Sequence, residues 1–393
     1  MNYHIMVQDK FLDSYIEDVY AIGEEQNNIF LFRGQENDTN YVSTKRKIEY
    51  IGNDKKVIKE RLKSINSSDA IFVHWYDMWI SEVLFDLPNK IYVMIWGGEF
   101  YCEPFWHHQW VYDKITLQNV KQQLKYPRIK FTLNPISLLR QVKRAYFFKK
   151  NLNLSYALKN KYVGRIDFLI CLDKNDLFYQ DYHKIKELYP AFRAKNVSGF
   201  YDQNFDRAQQ ISREKVVNSQ EINILVGNSA NAANNHLDAF EKLKDISNIV
   251  VICPLSYGGS KNEVEKIIDQ GKQIFKDRFI PITNFMGRDE YVKFLNTIDI
   301  VFMYHNRQQA FGNICSALSL GKPVFLKYKN AVKGYLDGMG IKIYDAEEIE
   351  QQDLNKIIQE SKDNLDKNVE MLKSSISEDK RLSDLKLLLK STN

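Results

Sequence analysis

Three apolar runs in the second half of the chain each break off into a small polar turn that contains glycine. Residues 221–226 (EINILV) lead into Gly227-Asn228-Ser229, 249–253 (IVVIC) into 254–259 (PLSYGG), and 298–304 (IDIVFMY) into 305–313 (HNRQQAFGN). A helical pattern follows each turn, and strands alternating with helices build parallel sheets with right-handed crossovers. In such a sheet the turns at the carboxyl ends of the strands converge on one crevice, where ligands bind. Glycines, amide side chains and an arginine there suit a phosphate-bearing ligand, because helix N-termini and free N–H groups attract anions.

The same alternation runs through the whole chain. Strands are expected at 3–7, 29–32, 70–74, 91–96 and 167–172, with helices at 11–22, 55–65, 78–85, 136–149 and 175–188. In the second half the strands fall at 222–227, 248–253, 299–304 and 323–326, with helices near 235–245, 261–275, 288–297, 313–320 and 331–337. A length of 393 residues exceeds one ordinary core. The polar stretch 195–220 reads as a linker. The expectation is therefore an α/β chain of two doubly wound Rossmann-like domains facing a central cleft, 1–200 and 221–393, joined through 201–220. A charged, helix-prone tail begins at Glu347.

The apolar fraction of 44% is that of a globular protein, and no run of 18 or more apolar residues suggests a membrane span. The opening MNYHIMVQDKF lacks the basic-then-apolar pattern of a secretory signal, so a cytosolic location is expected. Cys102, Cys171, Cys253 and Cys315 lie mostly in apolar runs and read as buried thiols. The net charge of +5 is unevenly spread: residues 104–165 carry thirteen Lys or Arg against a single acid, Asp113. That asymmetry marks an anion-seeking surface.

In the first turn Gly227 lets the backbone approach a ligand while Asn228, Ser229, Asn235 and His236 supply directed hydrogen bonds. The plainer alternative is a strand–turn–helix connection with Asn235 as N-cap. In the second, Ser256, Tyr257 and Gly258 offer a hydroxyl, a ring for stacking and a bend, or a simple loop cover. The third is the sharpest: Arg307, Gln308 and Gln309 precede Gly312 and Asn313, where a helix begins. A guanidinium gives permanently charged donors for a diphosphate, and the helix start adds its positive dipole end. No Asp-x-Asp pair and no metal-ligand spacing occurs, so no metal and no cofactor are expected. Arg307, helix N-termini and hydroxyls would then stabilise a departing diphosphate, with Lys261 or Lys327 as added charge.

Moving a group from a diphosphate onto a hydroxyl would need a base for that hydroxyl. Glu99, two glycines beyond the strand at 91–96, ranks first; Asp9, His74 and Asp77 follow other strand ends. A helix N-terminal acid is the alternative for Glu99, and a buried, satisfied ring for His74. Residues 136–150 (ISLLRQVKRAYFFKK) place Ile136, Leu139, Val142, Tyr146 and Phe147 among Arg140, Lys143, Arg144, Lys149 and Lys150. A basic amphipathic helix with aromatics suits an anionic membrane surface, with Phe105, Trp106, Trp110 and Tyr112 as further insertion points. An ordinary packed surface helix is the alternative. Nucleic acid is disfavoured because no recognised fold signature accompanies the charge.

Two doubly wound domains with ligand turns in the second match the GT-B layout of nucleotide-sugar glycosyltransferases. The turns also resemble those of a particular family, the bacterial N-acetylfucosaminyltransferases acting on a lipid-linked acceptor (4-alpha-L-fucosyltransferase, glycosyltransferase family 56). The pieces that carry the resemblance are 224–229 (ILVGNS) with Asn235-His236, the 254–259 turn, Arg307-Gln308-Gln309 with Gly312, and 95–101 (IWGGEFY). It extends over most of the chain and is strongest over 220–325. It implies transfer of an N-acetylated 4-amino-6-deoxygalactose from a dTDP donor to a lipid-diphosphate-linked saccharide in surface polysaccharide assembly. The donor would sit in the second domain and the acceptor in the first, on the inner face of the bacterial membrane, with residues 104–165 facing the lipid. Many GT-B enzymes bind both ribose hydroxyls with a glutamate four residues after the helix-opening glycine. Ser316 stands there, which is compatible with a deoxyribose. The alternatives are another GT-B nucleotide-sugar enzyme, such as a different hexosyltransferase or an epimerase, or a non-catalytic membrane- or nucleic-acid-binding module.

Overall fold

A computed structural model describes residues 1–7, 11–36, 45–101, 109–123, 134–171, 177–198 and 221–392. Asp9, Cys102, Phe105, Trp106 and the linker 201–220 lie outside them. The chain divides into two compact units, Met1–His108 with Ile129–Asp202 and Glu378–Asn393, and Gln109–Arg128 with Gln203–Ser377.

The first unit starts with β1 (Asn2–Met6), α1 (Leu12–Ala21), β2 (Asn28–Phe32), β3 (Glu49–Tyr50), α2 (Lys55–Lys63), β4 (Ala70–Val73), α3 (Met78–Leu84), β5 (Lys90–Met94) and α4 (Gly98–Tyr101). The chain then contributes α5 (Lys114–Gln123) to the second unit before resuming with α6 (Pro135–Val163), β6 (Phe168–Cys171), α7 (Leu177–Leu188) and β7 (Lys195–Ser198). Its seven strands lie in the order β3-β2-β1-β4-β5-β6-β7, all parallel. Central strands such as β4 (AIFV) are buried on both faces, which is why they read as unbroken apolar runs.

The second unit holds β8 (Ile222–Val226), α8 (His236–Leu243), β9 (Ile249–Pro254), α9 (Lys261–Phe275), β10 (Phe279–Ile282), α10 (Arg288–Asn296), β11 (Ile300–Met303), α11 (Phe311–Ser319), β12 (Val324–Leu326), α12 (Ala331–Gly338) and β13 (Tyr344–Asp345). Helices α13 (Leu354–Asp363) and α14 (Leu365–Ile376) close it. Its parallel order is β10-β9-β8-β11-β12-β13. Pro281 is tolerated because β10 is an edge strand. Apolar side chains of β8, β9, β11 and α8, among them Ile224, Val251, Phe302 and Phe240, form its core.

The division differs from a contiguous one in two places. Residues 109–128 belong to the second unit, so the basic stretch 104–165 is divided between the two units. The last helix, α15 (Glu378–Lys390), returns to the first unit. There Asn2 donates to Leu389 O (3.3 Å) and Arg381 pairs with Asp18. Both exchanges rest on polar contacts between residues far apart in sequence. Cys171, Cys253 and Cys315 are buried thiols.

Candidate functional site

The strand order of the second unit places β8 and β11 side by side with the chain winding outward from them in opposite directions. A ligand crevice opens outside the carboxyl ends at such a point, and two of the three glycine turns flank it. Gly227 has φ +70°, and a Cβ on it would lie 2.8 Å from His236 Nε2 and 3.1 Å from Asn234 Oδ1. Only glycine fits. The turns are tied together: Ala230 N–H donates to Tyr257 O (2.8 Å), and Gln309 Nε2 donates to Asn228 Oδ1 (2.7 Å). A Cβ on Gly259 would meet Ala230 O at 2.5 Å, so the second turn packs directly on the first.

Helices α8 and α11 both start from a left-handed residue that is not glycine, Asn235 (φ 54°) and Ala310 (φ 58°). Each costs about 1–2 kcal/mol, and neither supplies a side-chain cap to its helix. Around these starts, four polar side chains are buried with atoms that have no hydrogen-bond partner among the described residues. They are both ring nitrogens of His236, Nε2 of His305, Nε of Arg307 and Oε1 of Gln309. A buried polar group left unpaired costs about 1–3 kcal/mol, so their concentration at one end of one sheet points to groups waiting for a ligand. Burial pushes the His236 ring down to about 3, and burial with the neighbouring Arg307 charge pushes His305 down to about 3. Both rings are neutral near pH 7, so they offer directed hydrogen bonds while Arg307 supplies positive charge.

The same values set a pH dependence. The folded rings hold their protons less tightly than the ordinary value of 6.5, so the unfolded chain takes up protons first as pH falls. Their stabilising effect is complete above about pH 6.5 and is lost on descending from there towards 3, by up to about 1.4 kcal/mol per pH unit and ring. Thermal unfolding should show Tm falling between pH 7 and pH 5, with a shallower fall in His236→Phe. A Tm constant over that range would contradict this.

The remaining candidates are placed as follows. Tyr257 and Ser256 are half-buried and Gly258 is exposed in the second turn. Gln308, Gly312 and Asn313 are half-buried at the start of α11. Ser316 is buried and gives its proton to Gly312 O (2.8 Å), inside its own helix. Asn235 holds neighbouring backbone in place, with Oδ1 accepting from Asp113 N–H (2.9 Å) and Nδ2 donating to Val111 O (3.2 Å) and Tyr304 O (3.3 Å). Lys327 is not a spare charge. It is buried, paired with Asp113, 3.1 Å from Asn306 Oδ1, 3.5 Å from Glu347 and 3.9 Å from the Tyr304 ring centroid. Lys261 is exposed, near Glu265.

The structure adds a strap that sequence reasoning missed. Residues 109–123 lie along the starts of α8 and α9. Asp238 accepts from Ile115 N–H (2.9 Å), Thr116 N–H (2.8 Å) and the Thr116 hydroxyl (2.7 Å), and so caps α5 from another helix. Asn306 Nδ2 donates to Trp110 O and Asp113 Oδ1 (both 3.1 Å), and Glu263 accepts from Asn119 (3.2 Å) and Gln123. Trp110 and Tyr112 are half-buried in this strap. The lone acid of the basic stretch was the available signal for it.

In the first unit the corresponding reversal lies between β1 and β4. His74 follows β4 directly and is buried, with Nε2 3.2 Å from His4 Nδ1. Asp77 caps α3, accepting from Ile80 N–H (2.8 Å), and pairs with Arg33 (3.0 Å), so both carboxylate oxygens are engaged in holding the fold. Glu99 is buried at the start of α4, where Oε1 accepts from Trp96 N–H (2.7 Å). The Trp96 indole in turn donates to His74 O (2.7 Å). Among the described residues no three His, Cys, Asp or Glu are grouped to hold a metal.

Comparison with solved structures shows the same architecture. The glycosyltransferase of Rickettsia africae aligns over 100% of this chain and 98% of its own, with TM-score 0.57 and 12% identity. Sucrose-phosphate synthase of Thermosynechococcus elongatus aligns over 99% and 98%, with TM-score 0.57 and 10% identity. The alpha,alpha-trehalose 6-phosphate synthase of Burkholderia multivorans aligns over 100% and 99%, with TM-score 0.53 and 10% identity. Identities this low speak for the fold alone, which is GT-B as expected. Residues 173–376, a little over half of the chain, match the family described as 4-alpha-L-fucosyltransferase glycosyl transferase group 56. With that match the protein is a nucleotide-sugar glycosyltransferase. The chain belongs to that family.

Proposed function

We propose that this glycosyltransferase moves N-acetylfucosamine (4-acetamido-4,6-dideoxygalactose), or a similar deoxy-amino sugar, from a dTDP donor to a lipid-diphosphate-linked saccharide in bacterial surface polysaccharide synthesis. The observation that carries the donor side is the buried set His236, His305, Arg307 and Gln309 at the β8–β11 switch point. Arg307 and the uncapped start of α11 meet the diphosphate, balancing charge as the sugar leaves without a metal ion. The neutral rings and Gln309 read hydroxyls or the base. Ser316, with its proton committed to Gly312 O, leaves no carboxylate for a ribose diol at that place, which supports a deoxyribonucleotide.

The acceptor is proposed to bind the first unit, with the enzyme peripheral on the inner face of the cell membrane. No described helix is long and apolar enough to cross a bilayer. Helix α6 supports surface docking: it carries seven Lys or Arg and no acid. Ile136, Leu139 and Tyr146 are each more than 60% exposed, and Val142 and Phe147 are also exposed. Each Lys or Arg near an anionic leaflet adds about 1 kcal/mol of attraction.

Transfer itself can be assayed directly. Incubation of the protein with dTDP-N-acetylfucosamine and a polyprenyl-diphosphate disaccharide in vesicles should lengthen the lipid-linked saccharide by one residue. Anionic lipid should raise the rate over a neutral vesicle. Release of nucleotide without a lengthened lipid product would overturn the acceptor assignment.

A further inference from the structure

Strands β2 and β4 flank β1 on its two sides, and the chain leaves each of them beside the end of β1. Arg33, the residue after β2, donates its N–H to Met6 O (2.9 Å), and His74, the residue after β4, donates to Ile5 O (3.0 Å). Neighbouring strands lie about 4.8 Å apart, so the two exits stand about 10 Å from each other with the tip of β1 between them. The Arg33 side chain bridges that gap. Its Nη2 donates to Asp77 Oδ2 (3.0 Å), in the turn that follows β4. The guanidinium is therefore held at the carboxyl ends of β2, β1 and β4, where the winding of the first sheet reverses and a parallel sheet takes its ligand.

Its surroundings fix it there. Gly34 (φ 140°) and Gly52 exchange backbone hydrogen bonds of 3.2 and 3.1 Å, which pins the turn after Arg33. The guanidinium lies over the Trp79 ring, with Cζ 4.8 Å from the ring centroid. Asp77 is itself anchored, because its other oxygen accepts from Ile80 N–H (2.8 Å) at the start of α3. One nitrogen is left over. Nη1 is shut off from water and has no hydrogen-bond partner among the described residues. An enclosed donor without an acceptor is unfavourable, and an ion pair kept only to hold α3 does not call for one, since Asp77 would accept as well from a lysine. The side chain as a whole remains 18% exposed, so Arg33 stands at the edge of the crevice and not in the core.

We infer that Arg33 binds the diphosphate that joins the acceptor saccharide to its lipid, with Nη1 donating to a phosphate oxygen while Asp77 and Trp79 position the guanidinium. The inference rests on the reading of the first unit as the acceptor-binding one. A guanidinium suits the task because it stays charged at any working pH and carries five donors in one plane, of which Asp77 engages Nη2 alone. The Asp77 carboxylate is shared with Ile80 N–H and is 26% exposed, so water screens it and it offsets the charge of Arg33 only in part. Arg33 makes no bond to the reacting atoms. The group it holds is the same in the acceptor and in the lengthened product, so its effect falls on binding and not on the bond-making step.

The test gives the full chain dTDP-N-acetylfucosamine and two acceptors in neutral vesicles. One is a polyprenyl-diphosphate disaccharide, the other the same disaccharide as an uncharged alkyl glycoside. The unaltered protein should prefer the diphosphate by about 10–100-fold in kcat/KM, the range of one hydrogen bond to a charged group. Arg33→Met keeps a long side chain against Trp79 and should abolish that preference. KM for the diphosphate acceptor should rise by the same factor, while kcat, the rate on the alkyl glycoside and dTDP affinity change by less than about threefold, the pattern of lost uniform binding. Arg33→Lys keeps the charge without the planar donors and should retain part of the preference. A loss on both acceptors alike marks a structural role and overturns the inference, as does a preference that survives in Arg33→Met. Equal kcat/KM for the two acceptors in the unaltered protein also overturns it, and that result needs no variant to fold. No transfer to either acceptor by a protein that binds dTDP removes the acceptor reading and the inference together, whereas transfer to both without preference removes the role of Arg33 alone.

Discussion

Replacing Arg307 with alanine is expected to lower kcat/KM by about 10²–10³-fold, the loss seen when one preorganised donor to developing charge is removed. Arg307 is buried beyond β11, where Nη1 donates to Gln308 O (2.8 Å) and Nε has no partner among the described residues. It gains little from its own fold, so the substitution should leave Tm unchanged or slightly higher. His236 and His305 are neutral, and the charge of Lys327 is met by Asp113 and Glu347. That leaves Arg307 as the principal positive charge for a diphosphate beside the switch point. Lysine should not restore activity, because a single ammonium lacks the planar set of donors that spans two phosphate oxygens. Steady-state kinetics with the two variants checks this; a loss below tenfold for Arg307→Ala would move the diphosphate elsewhere.

Replacing Asp113 with alanine is expected to destabilise the second unit by about 2–4 kcal/mol. The substitution leaves the buried ammonium of Lys327 with Asn306 at 3.1 Å, a more distant Glu347 at 3.5 Å and the Tyr304 ring centroid at 3.9 Å, and breaking a buried ion pair from one side costs about 3–5 kcal/mol. It also unties the strap, since Asp113 Oδ1 accepts from Asn306 (3.1 Å). Asp113→Asn should cost less, because its one amide oxygen can still accept from Asn306 or Lys327, although its NH2 group then faces the other donor. Denaturant unfolding of the second unit measures the stability. Hydrogen exchange at Ile115 and Thr116, whose N–H groups bond to Asp238, reports whether α5 loosens with it. Unchanged stability in Asp113→Ala would show that Lys327 finds full compensation elsewhere.

The central strands were legible because burial on both faces writes them as apolar runs: β1, β2, β4, β5, β6, β8, β9, β11 and β12 all coincide with such runs. The edges were not. β7 (KNVS) is half-exposed, and β3 and β13 are two residues each, too short to show a period. β10 (FIPI) carries a proline that argues against a strand until its edge position is known. Helix α6 runs past Lys149 to Val163 because no breaker precedes Gly164. The strap escaped notice for another reason. KITLQNVKQQ has no apolar stripe and docks through Asp238 and Glu263, while Trp110–Asp113 just before it meet Asn235, Asn306 and Lys327, all partners more than a hundred residues away.

The site divides in the same way. Gly227, Arg307 and Gln309 stand out because a strand, a glycine turn and a helix punctuate the sequence around them. Asn235 carried the same signal, yet its amide holds the strap instead. His305 gave no signal, since a histidine next to an apolar run looks like a packing residue.

Calorimetric titration of the full chain with dTDP, UDP and GDP, repeated on Arg307→Ala, tests the donor site most directly. The expected result is binding of dTDP at least about tenfold tighter than UDP or GDP, a difference of about 1.4 kcal/mol, with dTDP affinity falling by at least as much in Arg307→Ala. No binding of any nucleotide diphosphate, or dTDP binding indifferent to Arg307, would contradict the assignment of the β8–β11 turns as the donor site.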